Sequence, residues 1–299
     1  MMKLMLHGVR GSRPTHKPHL SLFGGNSTSV QFLLPEDFYL FLDGGSGLAN
    51  IGRIMGSKPE FNRFHFLITH THWDHILGFP MFEPFYESSN KFNFYASNTS
   101  QNTFKKLFFV QSQSKLLPIP TSQIKAQFDF IEIGNNHDFF IENKVKVSTY
   151  QLNHQGITLG YRVEYDNCSC CIITDTAPIQ NGNYLGENMA QKAKPNPGKF
   201  EKEFDEGLIN FIKDAHTVVY DTHFTNATIK EDWGHSTPEI AVEACIKANN
   251  KRLILFHHAP EDSDDNVKEK YKSIAAIGQK NNLEIVAAAE EVEWNLESA

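Results

Sequence analysis

The stretch His70-Thr71-His72-Trp73-Asp74-His75 places three imidazoles and a carboxylate within six residues. It follows directly on Phe64 to Thr69 (FHFLIT), an apolar run that reads as a short buried strand. Alternate side chains of an extended backbone share a face, so His70 and His72 point the same way. After the chain turns, Asp74 and His75 face a second point close by. One short loop can therefore hold parts of two metal sites. Zinc accepts imidazole nitrogen and carboxylate oxygen, and manganese and iron suit the same set. Such a cluster is costly to hold together unless it is ligated or solvated.

Three residues further along each stand at the end of an apolar run. They are His154 after Leu152-Asn153, Asp175 after Ile172-Ile173-Thr174, and His257 after Leu253 to Phe256. Taken singly, each reads as a turn residue or a satisfied polar group. Beside the histidine loop they read as the rest of a donor set.

Around these positions the chain alternates between strands and helices. Ser29 to Leu34 and Phe38 to Leu42 form a hairpin pattern split at Pro35 to Asp37, and Asp43-Gly44-Gly45-Ser46-Gly47 breaks the chain before helical spacing over Leu48 to Met55. Val145 to Leu152, Thr158 to Tyr165, Cys170 to Thr174, Thr217 to Tyr220, Leu253 to Phe256 and Leu283 to Ala288 read as strands. Phe204 to Ala215 and Val267 to Ile277 read as helices, and Lys192 to Lys199 as a surface loop. Ser236-Thr237-Pro238-Glu239 is a helix start, with a hydroxyl cap, proline in the first turn and an acid at the positive end of the dipole. The mixture predicts an α/β protein with sheets covered by helices. It is read as a single domain over 1–299, in which residues 84–133 form an insertion or a lid.

Composition narrows the class. Of 299 residues, 40% are hydrophobic and 21% charged, which excludes a disordered or collagen-like chain. Lys plus Arg number 28 and Asp plus Glu 35, so the net charge is −7 and the chain has no global attraction to nucleic acid. Any phosphate it handles is expected to be held by local positive charge, such as a metal, which makes long nucleic acid the poorer partner. No apolar run reaches the ~18 residues of a membrane span. Met1 to Arg13 lacks a signal-peptide pattern, and the four cysteines do not resemble a secreted disulfide framework, so the sequence reads as cytoplasmic. Cys168, Cys170 and Cys171 are spaced too tightly for a metal site and have no histidine beside them, and Cys170 and Cys171 read as strand residues.

The order of these residues resembles that of the metallo-β-lactamase-fold hydrolases, over about residues 7 to 260. The resemblance implies a four-layer αββα sandwich. It implies that His70, His72 and His154 hold one divalent ion, and that Asp74, His75 and His257 hold a second. Asp175 bridges the two, and Asp43 supports the ligand loop. Zinc is the expected metal, with manganese or iron as alternatives. Gly234-His235-Ser236-Thr237 looks like the His-Ser-Thr element of the phosphodiesterase branch, which includes RNase Z. Val9 to Pro14, Gly24 to Ser29 and Leu255 to Pro260 resemble compact cyclic nucleotide phosphodiesterases of the anti-Pycsar type. Relatives in this branch are often homodimers.

The chemistry so implied is hydrolysis of a phosphodiester, with a 3′,5′-cyclic mononucleotide first and RNA processing or glyoxalase-type thioester or lactone hydrolysis as alternatives. Two divalent ions bring +4, Asp74 and Asp175 bring −2 and a bridging hydroxide −1, leaving a site near +1 that suits a phosphodiester monoanion. That hydroxide attacks phosphorus. His235 stabilises the phosphoryl oxygens or protonates the leaving group, with Asp74 and His235 as the catalytic pair. Glu231 or Asp232 is expected to orient His235. His223 reads either as a substrate contact or as a turn residue, and His65 as structural. His257 is preferred to His258 as ligand. Phe82, Phe85 and Tyr86 either stack on a base or belong to the core.

Overall fold

Alternating and continuous apolar runs build two seven-stranded mixed sheets, each in its own compact unit. A computed structural model describes residues 2–16, 22–35, 38–55, 62–113, 116, 123–180, 182–230 and 232–296, with side chains of 98–102 excepted. The units are Met1–Gly134 with Ala289–Asn295, and Asn135–Ala288 with Leu296–Ala299.

In the first unit, β1 (Lys3–Gly8), β2 (Ser29–Leu33) and β3 (Phe38–Leu42) pair antiparallel. Helix α1 (Ser46–Met55) then leads to β4 (Arg63–Leu67), which lies parallel to β3. After the short helix α2 (Trp73–Ile76) come β5 (Lys91–Ser97), α3 (Asn98–Gln111) and β6 (Gln127–Ile133), again in parallel pairing. The second unit repeats the plan. Strands β7 (Asp138–Ile141), β8 (Val145–Leu152), β9 (Thr158–Tyr165) and β10 (Cys168–Ile173) form an antiparallel meander. Helices α4 (Met189–Ala193) and α5 (Pro197–Ile212) then precede β11 (Thr217–Asp221). Helix α6 (Pro238–Lys247), β12 (Arg252–Phe256), α7 (Asp264–Lys280) and β13 (Glu284–Ala287) complete a parallel run from β10. The last strand, β14 (Glu293–Asn295), pairs with β1 at the edge of the first sheet. The α/β class read from the sequence holds.

Two readings are corrected. The segment from 84 onward is no lid: β5, α3 and β6 extend the first sheet to its far edge. Its phenylalanines continue rows that begin in β3 and β4. Phe64, Phe92 and Phe128 are cross-strand neighbours, as are Phe41, Phe66, Phe94 and Phe130. The rings stack at centroid distances such as 4.5 Å for Phe64 and Phe92. Aromatic pairs in such stacked arrangements contribute about 0.5–1.5 kcal/mol beyond their burial. The loop read over Lys192 to Lys199 in fact contains a helix start, with Asn196 accepting from the Lys199 N–H and Pro197 in the first turn.

Phe79, Phe82 and Phe85 cover those rows from two short 3-10 turns. Phe82 and Phe85 are fully buried and Tyr86 donates its hydroxyl to the Pro80 carbonyl, so none of the three is set out to stack on a base. The Phe85 ring sits 4.6 Å from Phe92 and 5.2 Å from Phe128. Phe85→Ala should cost about 3–5 kcal/mol of stability through the cavity left behind. Urea unfolding checks the loss, and activity per folded molecule should stay unchanged.

Candidate metal centre

The expected ligands lie just beyond strand ends, except Asp74 and His75, which stand in α2. Asp43 follows β3, the His70 loop follows β4, and Asp175, Asp221 to His223 and His257 follow β10, β11 and β12. In open sheets, sites collect outside the carboxyl ends of parallel strands. Three of these residues adopt left-handed backbone: Asp43 at φ 54°, Asp175 at φ 55° and His257 at φ 59°. The conformation is costly for a histidine, and such strain gathers at functional sites.

The first unit fixes the histidine loop from beneath. Asp43, fully buried, accepts from the Thr69 N–H at 2.8 Å, the Thr69 hydroxyl at 2.7 Å and His75 Nδ1 at 2.7 Å. Burial raises the Asp43 carboxyl above its ordinary pKa, and His75 and Thr69 oppose the rise. With its Nδ1 proton given to Asp43, His75 presents the Nε2 lone pair. Gly44 donates to the His75 carbonyl at 2.7 Å, and a Cβ on Gly45 would meet the Asp74 carbonyl at 2.2 Å. The Asp-Gly-Gly break is thus a seat for this loop. Ser12 donates its backbone N–H to Asp74 Oδ2 at 2.7 Å, which gives the Val9 to Pro14 motif a task. Arg10 is fully buried rather than a surface charge and donates Nε–H to the Gly24 carbonyl at 2.8 Å.

The donor atoms of this loop fall into two pairs. His70 Nε2 lies 2.9 Å from His72 Nδ1, and His75 Nε2 lies 3.3 Å from Asp74 Oδ2. Two donors about 2.1 Å from a tetrahedral ion stand roughly 3.4 Å apart, so the Asp74–His75 pair matches one edge of a coordination sphere, and the His70–His72 pair lies closer together than such an edge.

The second unit carries a complementary set. Asp175 Oδ1 lies 3.2 Å from His257 Nε2, and its Oδ2 lies 3.7 Å from His154 Nε2. Each carboxylate oxygen thus faces a different imidazole. His154 Nδ1 donates to the Gly234 carbonyl at 2.9 Å, which turns the Nε2 lone pair towards Asp175. Gly234 has φ 80°, and a Cβ there would meet His154 Nδ1 at 2.1 Å, so only glycine fits. Next to His257, His258 Nε2 donates instead to the Ala288 carbonyl at 3.0 Å, in a structural contact. The donor chemistry in both units fits divalent metal: imidazoles held in defined tautomers, and carboxylates fixed by hydrogen bonds.

His235 is oriented by a residue that the sequence reading missed. Asp221 Oδ2 accepts from His235 Nδ1 at 2.9 Å and from the Thr176 N–H at 3.2 Å, while Oδ1 accepts from the His223 N–H at 3.0 Å. Burial alone would raise the Asp221 carboxyl, but His235 and then His257 outweigh it and hold the group below its ordinary pKa. Asp232 is not the orienter; its carbonyl accepts from Gln155 Nε2, and Glu231 lies outside the described residues. A signal was present: the apolar runs of β3, β10 and β11 each lead into an aspartate (FYLFLD, CIITD, TVVYD). Behind His235, N–H groups at the start of α6 are already committed. Pro238 has no N–H, the Ser236 N–H goes to Asp221, and the Ile240 N–H goes to the Thr237 cap.

Of the residues set aside, His65 pairs with the Tyr95 hydroxyl at 3.1 Å, and all four cysteines are free thiols buried in the structure. His223 is no turn residue: its ring stacks on His235 at 4.5 Å, and burial drives its pKa down to about 3. Among the described residues, no helix is long and apolar enough to cross a membrane.

Residues 65–194 match the β-lactamase superfamily domain. A protein named Ribonuclease Z from Bacillus thuringiensis (strain Al Hakam) is 24% identical over 231 residues, 69% of this chain and 73% of its own length. Among solved structures, the metallo-β-lactamase fold protein YhfI from Bacillus subtilis superposes with a TM-score of 0.67 at 15% identity, over 98% of both chains. A diphosphatase from the PhnP family gives a TM-score of 0.67 at 15% identity, over 99% of this chain and 98% of its own.

Proposed function

We propose that this chain, a metal-dependent hydrolase of the metallo-β-lactamase fold, cleaves phosphodiesters and takes a 3′,5′-cyclic mononucleotide as substrate. In this reading His70, His72 and His154 with Asp175 would hold one divalent ion, and Asp74, His75 and His257 with Asp175 would hold another, with zinc as the metal. Bound there, such ions neutralise phosphoryl charge and lower the pKa of water to about 7. The protein's own residues do the rest. Asp221 fixes the proton on Nδ1 of His235, so that Nε2 is the atom offered to a phosphoryl or leaving oxygen. Asp43 and the Gly234 carbonyl hold His75 and His154 in the tautomers that ligation needs. Residues 1–299 act as one hydrolase domain, in a cytoplasmic homodimer.

The buried Asp221–His235 pair carries this reading. Hydrolysis of a thioester or lactone would leave it without a task. RNA processing is the second reading, favoured by the relative named Ribonuclease Z. The net charge of −7 favours the small substrate. Protein loaded with zinc or manganese, offered the four 3′,5′-cyclic mononucleotides and a precursor tRNA, should open the cyclic ring, and Asp74→Ala should abolish that turnover. Cleavage of the precursor with the cyclic nucleotides untouched would replace the first reading by the second.

A further inference from the structure

We propose that the cavity beside His223 is the nucleobase pocket of this enzyme, and that it selects bases bearing an amino group over uracil. The inference deepens the phosphodiesterase reading and rests on it for the reaction, though not for the binding. The cavity has a volume of about 740 Å³, lies within the second unit, and is lined by His223, Phe224, Trp233, Glu239, Glu261 and Glu269 among others. That size suits a small ligand.

His223 forms the wall nearest the reaction centre. It is 3% exposed, stacks on His235 with an interplanar angle of 18°, and its Nδ1 has no partner among the described residues. Buried polar atoms are ordinarily satisfied, so this nitrogen asks for a ligand. A nucleotide whose phosphate lies at His235 brings its sugar and base past His223 into the cavity.

The aromatic wall suits a flat ring. Phe224 meets Trp233 edge to face at 6.2 Å, and the indole stays 47% exposed with Lys230 Nζ 3.7 Å over its ring. Bases stack on such surfaces irrespective of sequence. Selectivity comes from the acids. Glu239, in the first turn of α6, keeps Oε2 buried with no donor among the described residues, while Glu269 already accepts from Lys272 Nζ at 2.8 Å. The charge of Lys270 is matched by Asp262 at 2.7 Å. An acceptor-rich wall welcomes the exocyclic amine of adenine, cytosine or guanine. Glu239 Oε2 meets the carbonyl edge of uracil with lone pair against lone pair.

Nucleosides test the pocket without phosphate, metal or turnover. Saturation-transfer NMR on the full chain should show adenosine, cytidine and guanosine binding roughly tenfold more tightly than uridine. Glu239→Gln, whose amide donates as well as accepts, should erase that difference. Trp233→Leu should weaken all four, which keeps the test alive should the glutamine variant misfold. Equal binding of the four nucleosides by the unaltered protein, or an unchanged preference in Glu239→Gln, overturns the proposal. A preserved nucleoside preference without any cyclic nucleotide turnover sinks the phosphodiesterase reading and leaves the pocket standing. Turnover of all four cyclic mononucleotides at equal kcat/KM does the reverse.

Discussion

Asp175→Asn should lower phosphodiester turnover roughly 10³-fold, the equivalent of about 4 kcal/mol of lost metal-ion stabilisation, while leaving the protein folded. The reason is the two-sided seat of this side chain. Its oxygens face different imidazoles, His257 at 3.2 Å and His154 at 3.7 Å, and an amide offers one oxygen and no charge for the same task. Metal content should fall by at least one equivalent per chain, read by elemental analysis. Asparagine is the informative substitution because it tolerates the left-handed backbone that residue 175 adopts at φ 55°. The Thr174 hydroxyl can still donate to its oxygen. Asp175→Ala adds a backbone cost of about 1–2 kcal/mol, so its urea midpoint should drop where that of the asparagine variant holds. Two retained metals with full turnover in Asp175→Asn would remove Asp175 from the centre.

The same strand-end logic explains what could be read in the sequence and what could not. Strands β8 and β9 are found at the residues where alternation put them, and the His70 loop follows its strand as read. Local pattern sufficed there, because a strand with one polar face or a cluster of imidazoles is visible in a window of a few residues. Residues 84–133 defeated the same approach. Phe92, Phe94, Phe128 and Phe130 have meaning only as members of rows that start in other strands, and a row across a sheet has no signature along the chain. The helix start at Asn196 and Pro197 was masked by neighbouring lysines and prolines that suit a loop equally well. Asp221 was missed for a related reason. A lone aspartate at a strand end is ordinary, and its partner His235 is fourteen residues away. Only folding brings imidazole and carboxylate to 2.9 Å, which is why proximity in sequence suggested Glu231 or Asp232 instead.

His235→Ala should cut hydrolysis of a cyclic mononucleotide by about 10²–10⁴-fold, the range expected for loss of a positioned general acid. The leaving group decides the outcome. A ribose oxygen needs a proton to depart, whereas a p-nitrophenolate leaves without one. The loss should therefore shrink when bis(p-nitrophenyl) phosphate replaces the cyclic nucleotide, and ester hydrolysis should change little. Asp221→Asn acts one step removed. It keeps the shape of the pair but no longer holds the His235 proton on Nδ1, and it should cost about 10–100-fold, as loss of a supporting carboxylate does elsewhere. A double variant should be no worse than His235→Ala alone, since Asp221 works through that imidazole. A merely structural role for His235 predicts the opposite pattern: equal losses with both leaving groups, and losses that add in the double variant. Equal losses would assign His235 to binding or packing, and the proton for the leaving oxygen would have to come from another group at the centre.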